Sequence, residues 1–267
     1  MFLKKLIQRN QEFLKSAIEL HQAGLLPANS YVLDLDTMQK NAALMAAEGE
    51  RLGLKVFPMT KQIGRNPCAL DCLAKEGLTA FVAVDMSCAL PIHKNGYDIG
   101  HLGHLVQVPN AEVETAAAMK PYYWTVFNKE KAEAAAGAAK KFGRKQPLLA
   151  RIFSEGDIFY MGHEGGFRAE DILEVADYLD SLPGGMFSGI TTFPALLFNP
   201  KIKVVEKTPN MGTLEKAVNK LRKAGWEGIE VNAPGTTSTK VMSLLADAGA
   251  TQVEPGHGLT GTTPLHA

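Results

Sequence analysis

Short runs of β-branched and aromatic residues alternate with longer stretches of helical period along this 267-residue chain, and that alternation is what most limits its fold. After an opening amphipathic helix at about 3 to 23, the runs are YVLDLD (31 to 36), KVFPMT (55 to 60), TAFVAV (79 to 84), HLVQV (104 to 108), YYWTVF (122 to 127), LLARIF (148 to 153), SGITTF (188 to 193), GIEVN (228 to 232) and TQVE (251 to 254). Between them lie helical stretches such as TMQKNAALMAAEGERL and NKEKAEAAAGAAKKF, several ending at a glycine suited to a helix C-cap. An open doubly wound sheet is one way to arrange such units. A closed barrel needs eight strands, so nine leave one over, and the expected spare is the first. A barrel that begins at KVFPMT sets KVFPMT and TQVE side by side, with the loops after both on one rim. The expected fold is therefore α/β, a (β/α)8 TIM barrel with one extra N-terminal helix and strand outside it. Residues 1–53 would carry the helix, the spare strand and the first crossover helix, and residues 54–267 the barrel.

Charge and composition narrow the function. The 28 Lys and Arg are balanced by 28 Asp and Glu, which argues against a nucleic-acid partner. No apolar run approaches the roughly 18 to 20 residues of a membrane span, and MFLKKLIQRNQEFLK is charged throughout, unlike a signal peptide or an anchor. Cys68, Cys72 and Cys88 have no paired-motif spacing, so neither a disulfide framework nor a closed zinc site is expected. His101-x2-His104 also lacks a matching second pair, and no metal is expected. A cytoplasmic protein acting on a small molecule fits these features.

Barrel chemistry sits at the C-terminal ends of strands, with phosphate sites after the last two. Lys61 ends the first barrel strand; a desolvated lysine can form a Schiff base, although an ordinary lysine simply keeps its ammonium in water. In EVNAPGTTST, the amides of Gly235, Thr236 and Thr237 and two hydroxyls meet at an expected helix N-terminus, which is either an anion site or a plain capped turn. In TQVEPGHGLTGTTP, Glu254 ends the last strand ahead of a Gly-rich turn holding Gly256 and His257. Arg65, four residues after Lys61, suits phosphate or carboxylate binding or a helix start. A lysine, a phosphate cradle and a carboxylate beside the first strand together suit pyridoxal 5′-phosphate, with Glu254 on the ring nitrogen.

The order LDLDTMQKNAALM, then a strand-end lysine, EVNAPGT and EPGHGLTG resembles the fold type III pyridoxal-phosphate enzymes, the alanine racemase group. MTKQIGRNP, GHLVQVP and NAPGTTS…EPGHGLTGT resemble its YhfX-type branch. The resemblance implies Lys61 as the Schiff-base lysine, Glu254 as the ring-nitrogen partner and Gly256 and His257 as part of the phosphate turn. Asn232, in EVNAPGT, joins the implied cofactor-binding set. Thr192, in ITTF, replaces the family's ring-stacking histidine. Arg151 and His104 are candidates for the substrate. Alanine racemases carry an arginine at the ring nitrogen, whereas Glu254-Pro255-Gly256 is similar to the EPG motif of ornithine-decarboxylase-like members.

The resemblance also implies a C-terminal β domain that pairs with the spare strand and supplies, from a partner subunit, a tyrosine for the second proton transfer. No residue here matches that tyrosine, and the expectation is a single-domain chain without the β domain, as a homodimer. The leading expectation is an amino-acid racemase that abstracts the α-proton of a cofactor-bound amino acid. A pyridoxal-phosphate decarboxylase or lyase, and a non-catalytic barrel of the cofactor-homeostasis kind, are the alternatives.

Overall fold

A computed structural model describes residues 2–262, so the last five residues of the expected barrel domain lie outside the described residues. Eight parallel strands make the barrel, β1 (Lys55–Val56), β2 (Ala80–Ala83), β3 (Asp98–Leu102), β4 (Tyr123–Val126), β5 (Gln146–Phe153), β6 (Gly185–Thr191), β7 (Glu230–Asn232) and β8 (Gln252–Val253), and a two-residue strand, Phe167–Arg168, pairs with the end of β5 off this path. Neighbours follow chain order from β2 to β8, and β8 pairs back to β1 with Lys55 opposite Gln252 and Val56 opposite Val253. A parallel bridge between Met59 and Val82, with Val82 N–H donating to Pro58 O at 2.9 Å, joins the remaining two edges. The curled sheet is thereby closed, as expected of the TIM barrel.

Helices cover the outside because their apolar residues recur at helical spacing. The helix Lys129–Lys141 starts where the Asn128 side chain accepts from Lys131 N–H, a cap typically worth about 1 kcal/mol. It turns Ala132, Ala135, Ala136, Ala138 and Ala139 inward, and these small side chains let it lie close to the sheet. The approach is so near that a Cβ on Gly184 would stand 2.0 Å from Ala136 O.

Three expectations are corrected. YVLDLD forms no strand: residues 31–34 are irregular, and Asp34 caps the helix Leu35–Leu52 by accepting from Thr37 N–H and Oγ1. Asp34 also accepts from Asn10 Nδ2–H, so the segment is tied to helices at its end and, among the described residues, to no sheet edge. The third strand lies earlier than HLVQV, over Asp98–Leu102, where Gly100 packs under the Phe57 ring and any Cβ would come within 2.4 Å of it. The opening helix is two, Phe2–Arg9 and Gln11–Gln22, broken at Asn10, whose side chain caps the second. Unforeseen from sequence is an antiparallel hairpin, Leu196–Asn199 with Val204–Lys207, lying between β6 and β7 in the chain. Among the described residues no helix is long and apolar enough to cross a membrane.

Candidate functional site

The pairing of β1 with β8 continues past the strand ends. Phe57 N–H donates to Val253 O at 3.0 Å and Met59 N–H to Pro255 O at 2.8 Å, so both loops leave the rim together. Lys61 and Glu254 therefore line one cavity of about 490 Å³, within the usual range for small-molecule sites. Lys61 is exposed at its mouth and Glu254 is buried in its wall.

Glu254 is the centre of a polar cluster built by four strands. Its Oε1 accepts from His101 Nδ1–H, from the end of β3, and from Asn232 Nδ2–H at 2.9 Å, from the end of β7. His101 Nε2 lies 2.5 Å from Thr125 Oγ1 on β4, and Asn232 Oδ1 accepts from Thr191 Oγ1–H on β6 at 2.7 Å. Glu254 Oε2 is buried and has no hydrogen-bond partner among the described residues. Burial by itself would raise the Glu254 carboxyl, but the hydrogen bonds from His101 and the Asn232 amide favour its charged form and hold it below the ordinary carboxylate range. His104 Nδ1, 3.5 Å from Oε2, is also unpaired, and burial pushes this histidine down to about 3, so its imidazole is neutral at ordinary pH. His101, His104 and Glu254 place one ligand-type atom each within 4.8 Å of one another, a set that could also hold a metal ion. In sequence only the histidine pair is visible, because Glu254 reaches it through barrel closure.

The expected phosphate cradle sits across the cavity, in altered form. Gly235, Thr236 and Thr237 line it, as do Gly256 and His257. The helix expected behind EVNAPGTTST starts only at Met242, so the first turn is irregular backbone and not a helix N-terminus. The Thr236 N–H is taken by Leu196 O at 3.1 Å, which leaves the Gly235 and Thr237 amides as the donors of that turn. Gly235 is required there, since a Cβ would lie 2.7 Å from both Leu196 N and O. Gly258 brings the second turn against the first, its missing Cβ falling 2.7 Å from Thr237 O. Burial and the charge of Lys61 hold His257 below the ordinary imidazole range.

Other expected site residues lie apart. Asn232 and Thr192 are fully buried behind the lining: Asn232 supports Glu254, and Thr192 accepts from Asn210 Nδ2–H at 3.4 Å. Phe193 and Pro194 reach the cavity where Thr192 was expected. Arg65 lines an adjoining groove that shares Lys61 and Gln62 with the cavity, and its charge acts on Asp85. Arg151 is fully buried beneath the loop after β5, against the Phe127 and Phe159 rings. Its Nη2 donates to His163 O at 3.0 Å and Phe193 O at 3.3 Å, whereas Nε and Nη1 have no partner among the described residues. That same loop sends Tyr160 and His163 into the cavity that His104 also lines; His163 is a candidate from sequence for acid-base work or cofactor contact, whereas nothing local marks out Tyr160.

Comparison with known proteins agrees with the fold. The family described as alanine racemase, N-terminal domain, matches residues 33–264. An uncharacterized Escherichia coli (strain K12) protein, YhfX, is 37% identical over 266 residues, covering all of this chain and 69% of that protein. D-threonine aldolase from Filomicrobium marinum shares the fold at a TM-score of 0.68 and 15% identity, over 88% of this chain and 62% of that one. Alanine racemase from Corynebacterium glutamicum does so at 0.66 and 15% identity, over 87% of this chain and 63% of that one. The chain thus spans less than two thirds of either enzyme.

Proposed function

This chain belongs to the alanine racemase N-terminal domain family, whose fold binds pyridoxal 5′-phosphate, and from that premise we propose that it holds the cofactor on Lys61 and acts as an amino-acid racemase or close relative. The observation that carries the reading is the shared cavity of Lys61 and Glu254, in which a buried carboxylate oxygen, Oε2, lacks a donor. A ring N–H is the donor that oxygen suits, and a buried acceptor left alone would cost about 1–3 kcal/mol.

When bound, the cofactor supplies an electron sink for negative charge developing at an amino-acid α-carbon. Lys61 would hold its aldehyde carbon, and its Nζ would serve as the base for the amino-acid α-proton. Glu254 Oε2 would accept from the ring N–H and keep that proton in place. The free amides of Gly235 and Thr237, with the turn at Gly256 and His257, would hold the phosphate. Racemisation needs a second proton donor on the far face. Tyr160 and His163, which line the same cavity, are the groups of this chain available for that step. The neutral His104 would give the substrate a hydrogen-bonding wall without charge, and Arg151 would order the loop that covers it. The reading includes a cytoplasmic homodimer, whose assembly light scattering would test.

A second reading, decarboxylation or elimination, is favoured by one observation: a carboxylate stands where alanine racemases carry an arginine, and a protonated ring withdraws electrons more strongly. The deciding experiment titrates purified protein with pyridoxal phosphate beside Lys61→Ala. We expect a visible absorption band in the wild type only, and a mass label on Lys61 after borohydride. The same band in Lys61→Ala would overturn the assignment. Chirality, CO2, ammonia and keto-acid assays then separate racemase from decarboxylase and lyase. Bound cofactor with every amino acid unchanged would mean a non-catalytic barrel.

A further inference from the structure

We infer that His101 is a positioning residue for Glu254: it clamps Oε1 and so leaves Oε2 as the single carboxylate oxygen presented to a bound ring's N–H. The inference deepens the pyridoxal-phosphate reading and rests on it.

The argument is one of hydrogen-bond accounting. A carboxylate on a single side chain is free to turn, and either oxygen could face the cavity. Here two donors from different strands converge on the same oxygen, His101 Nδ1–H from the end of β3 and Asn232 Nδ2–H from the end of β7. Turning the carboxylate would break both bonds at side chains with little access to solvent, since His101 and Glu254 are 0% and 3% exposed. Because an ionised carboxylate only accepts, Nδ1 must carry the proton. Thr125 Oγ1, 2.5 Å from Nε2, holds the ring from the far side. His101 therefore has both nitrogens spent on protein groups and none left for a ligand. It does not line the cavity, and its effect on a ligand passes through Glu254.

The alternative use of the cluster, a metal ion on His101, His104 and Glu254, would require His101 Nδ1 to give up its proton and its bond to Oε1. The two bonds that His101 makes, to Glu254 and to Thr125, favour positioning.

The test is titration of the apo protein with pyridoxal phosphate carrying 15N in the ring, with the 15N chemical shift read by NMR alongside affinity and the visible band. Wild type should show a protonated ring nitrogen. His101→Ala should move the shift towards the unprotonated position and weaken binding by roughly tenfold, the size usual for losing a group that orients a ligand-binding side chain. His101→Asn, whose amide can occupy the place of Nδ1, should recover most of both. Thr125→Val should move both readouts the same way by less. Since His101 acts through Glu254, adding His101→Ala to Glu254→Gln should change the 15N shift no further than Glu254→Gln alone.

A wild-type 15N shift and affinity in His101→Ala would overturn the inference and leave the cofactor reading intact. Additive effects in the double variant would also overturn it. No visible band in the wild type would overturn both. Should His101→Ala not fold, His101→Asn and Thr125→Val decide: an unprotonated ring nitrogen in His101→Asn, or no change in Thr125→Val, counts against positioning.

Discussion

Lys61 and Glu254 stand on the two sides of the β1–β8 seam, tied together by Met59 N–H donating to Pro255 O at 2.8 Å. An amine and a buried carboxylate from opposite ends of the chain are brought into one cavity by backbone pairing alone. The relation is therefore as rigid as the barrel, which is what a reaction needing fixed geometry at two ends of one cofactor requires.

Acid should destabilise the apo protein through the same cluster. Folded His104 stays neutral down to about 3, whereas in the unfolded chain it takes up a proton below its ordinary 6.5. Its contribution to stability is complete above about pH 6.5 and is lost as pH falls, at about 1.4 kcal/mol per pH unit. Glu254, held below its ordinary 4.5, extends the loss in the same direction at lower pH. Urea unfolding between pH 7 and 5 should show a shallower pH slope in His104→Leu than in wild type, by about one proton. Equal slopes would mean that His104 is charged in the fold.

Gly235→Ala should damage the site sterically. Its added Cβ would meet Leu196 N and O at 2.7 Å, and backbone atoms cannot swing aside. The turn must shift, at a cost of about 1–3 kcal/mol. We expect a lower melting temperature and weaker binding of cofactor and of inorganic phosphate. Unchanged phosphate binding would show that the turn is not part of the cradle.

Arg151→Met should loosen the loop after β5 without unfolding the barrel. The buried guanidinium leaves two nitrogens unpaired, so replacing it with an apolar chain costs little global stability. The variant loses the bonds from Nη2 to His163 O and Phe193 O. Hydrogen exchange over residues 154–166 should rise severalfold while the strands keep their protection. Wild-type exchange in that loop would show that its order comes from elsewhere.

The periodic alternation of strand and helix was legible in the sequence, and so was the closure of KVFPMT on TQVE, because both follow from local patterning and a strand count. That Lys61, Glu254 and the glycine turns after the last two strands would share one rim was legible too, since all follow strand ends of a closed barrel. HLVQV has the better strand composition, yet the strand is Asp98–Leu102, where only a residue without a side chain fits at position 100 beneath Phe57. YVLDLD has strand composition and no strand: Asp34 caps a helix, and the segment meets no sheet edge among the described residues. What only the tertiary structure decided is the clamp on Glu254. His101, Thr125, Thr191 and Asn232 come from four strands, and no spacing along the chain relates them. Their meeting depends on the stagger of a closed parallel sheet, a property of the whole barrel, whereas each strand and helix is specified by its own few residues.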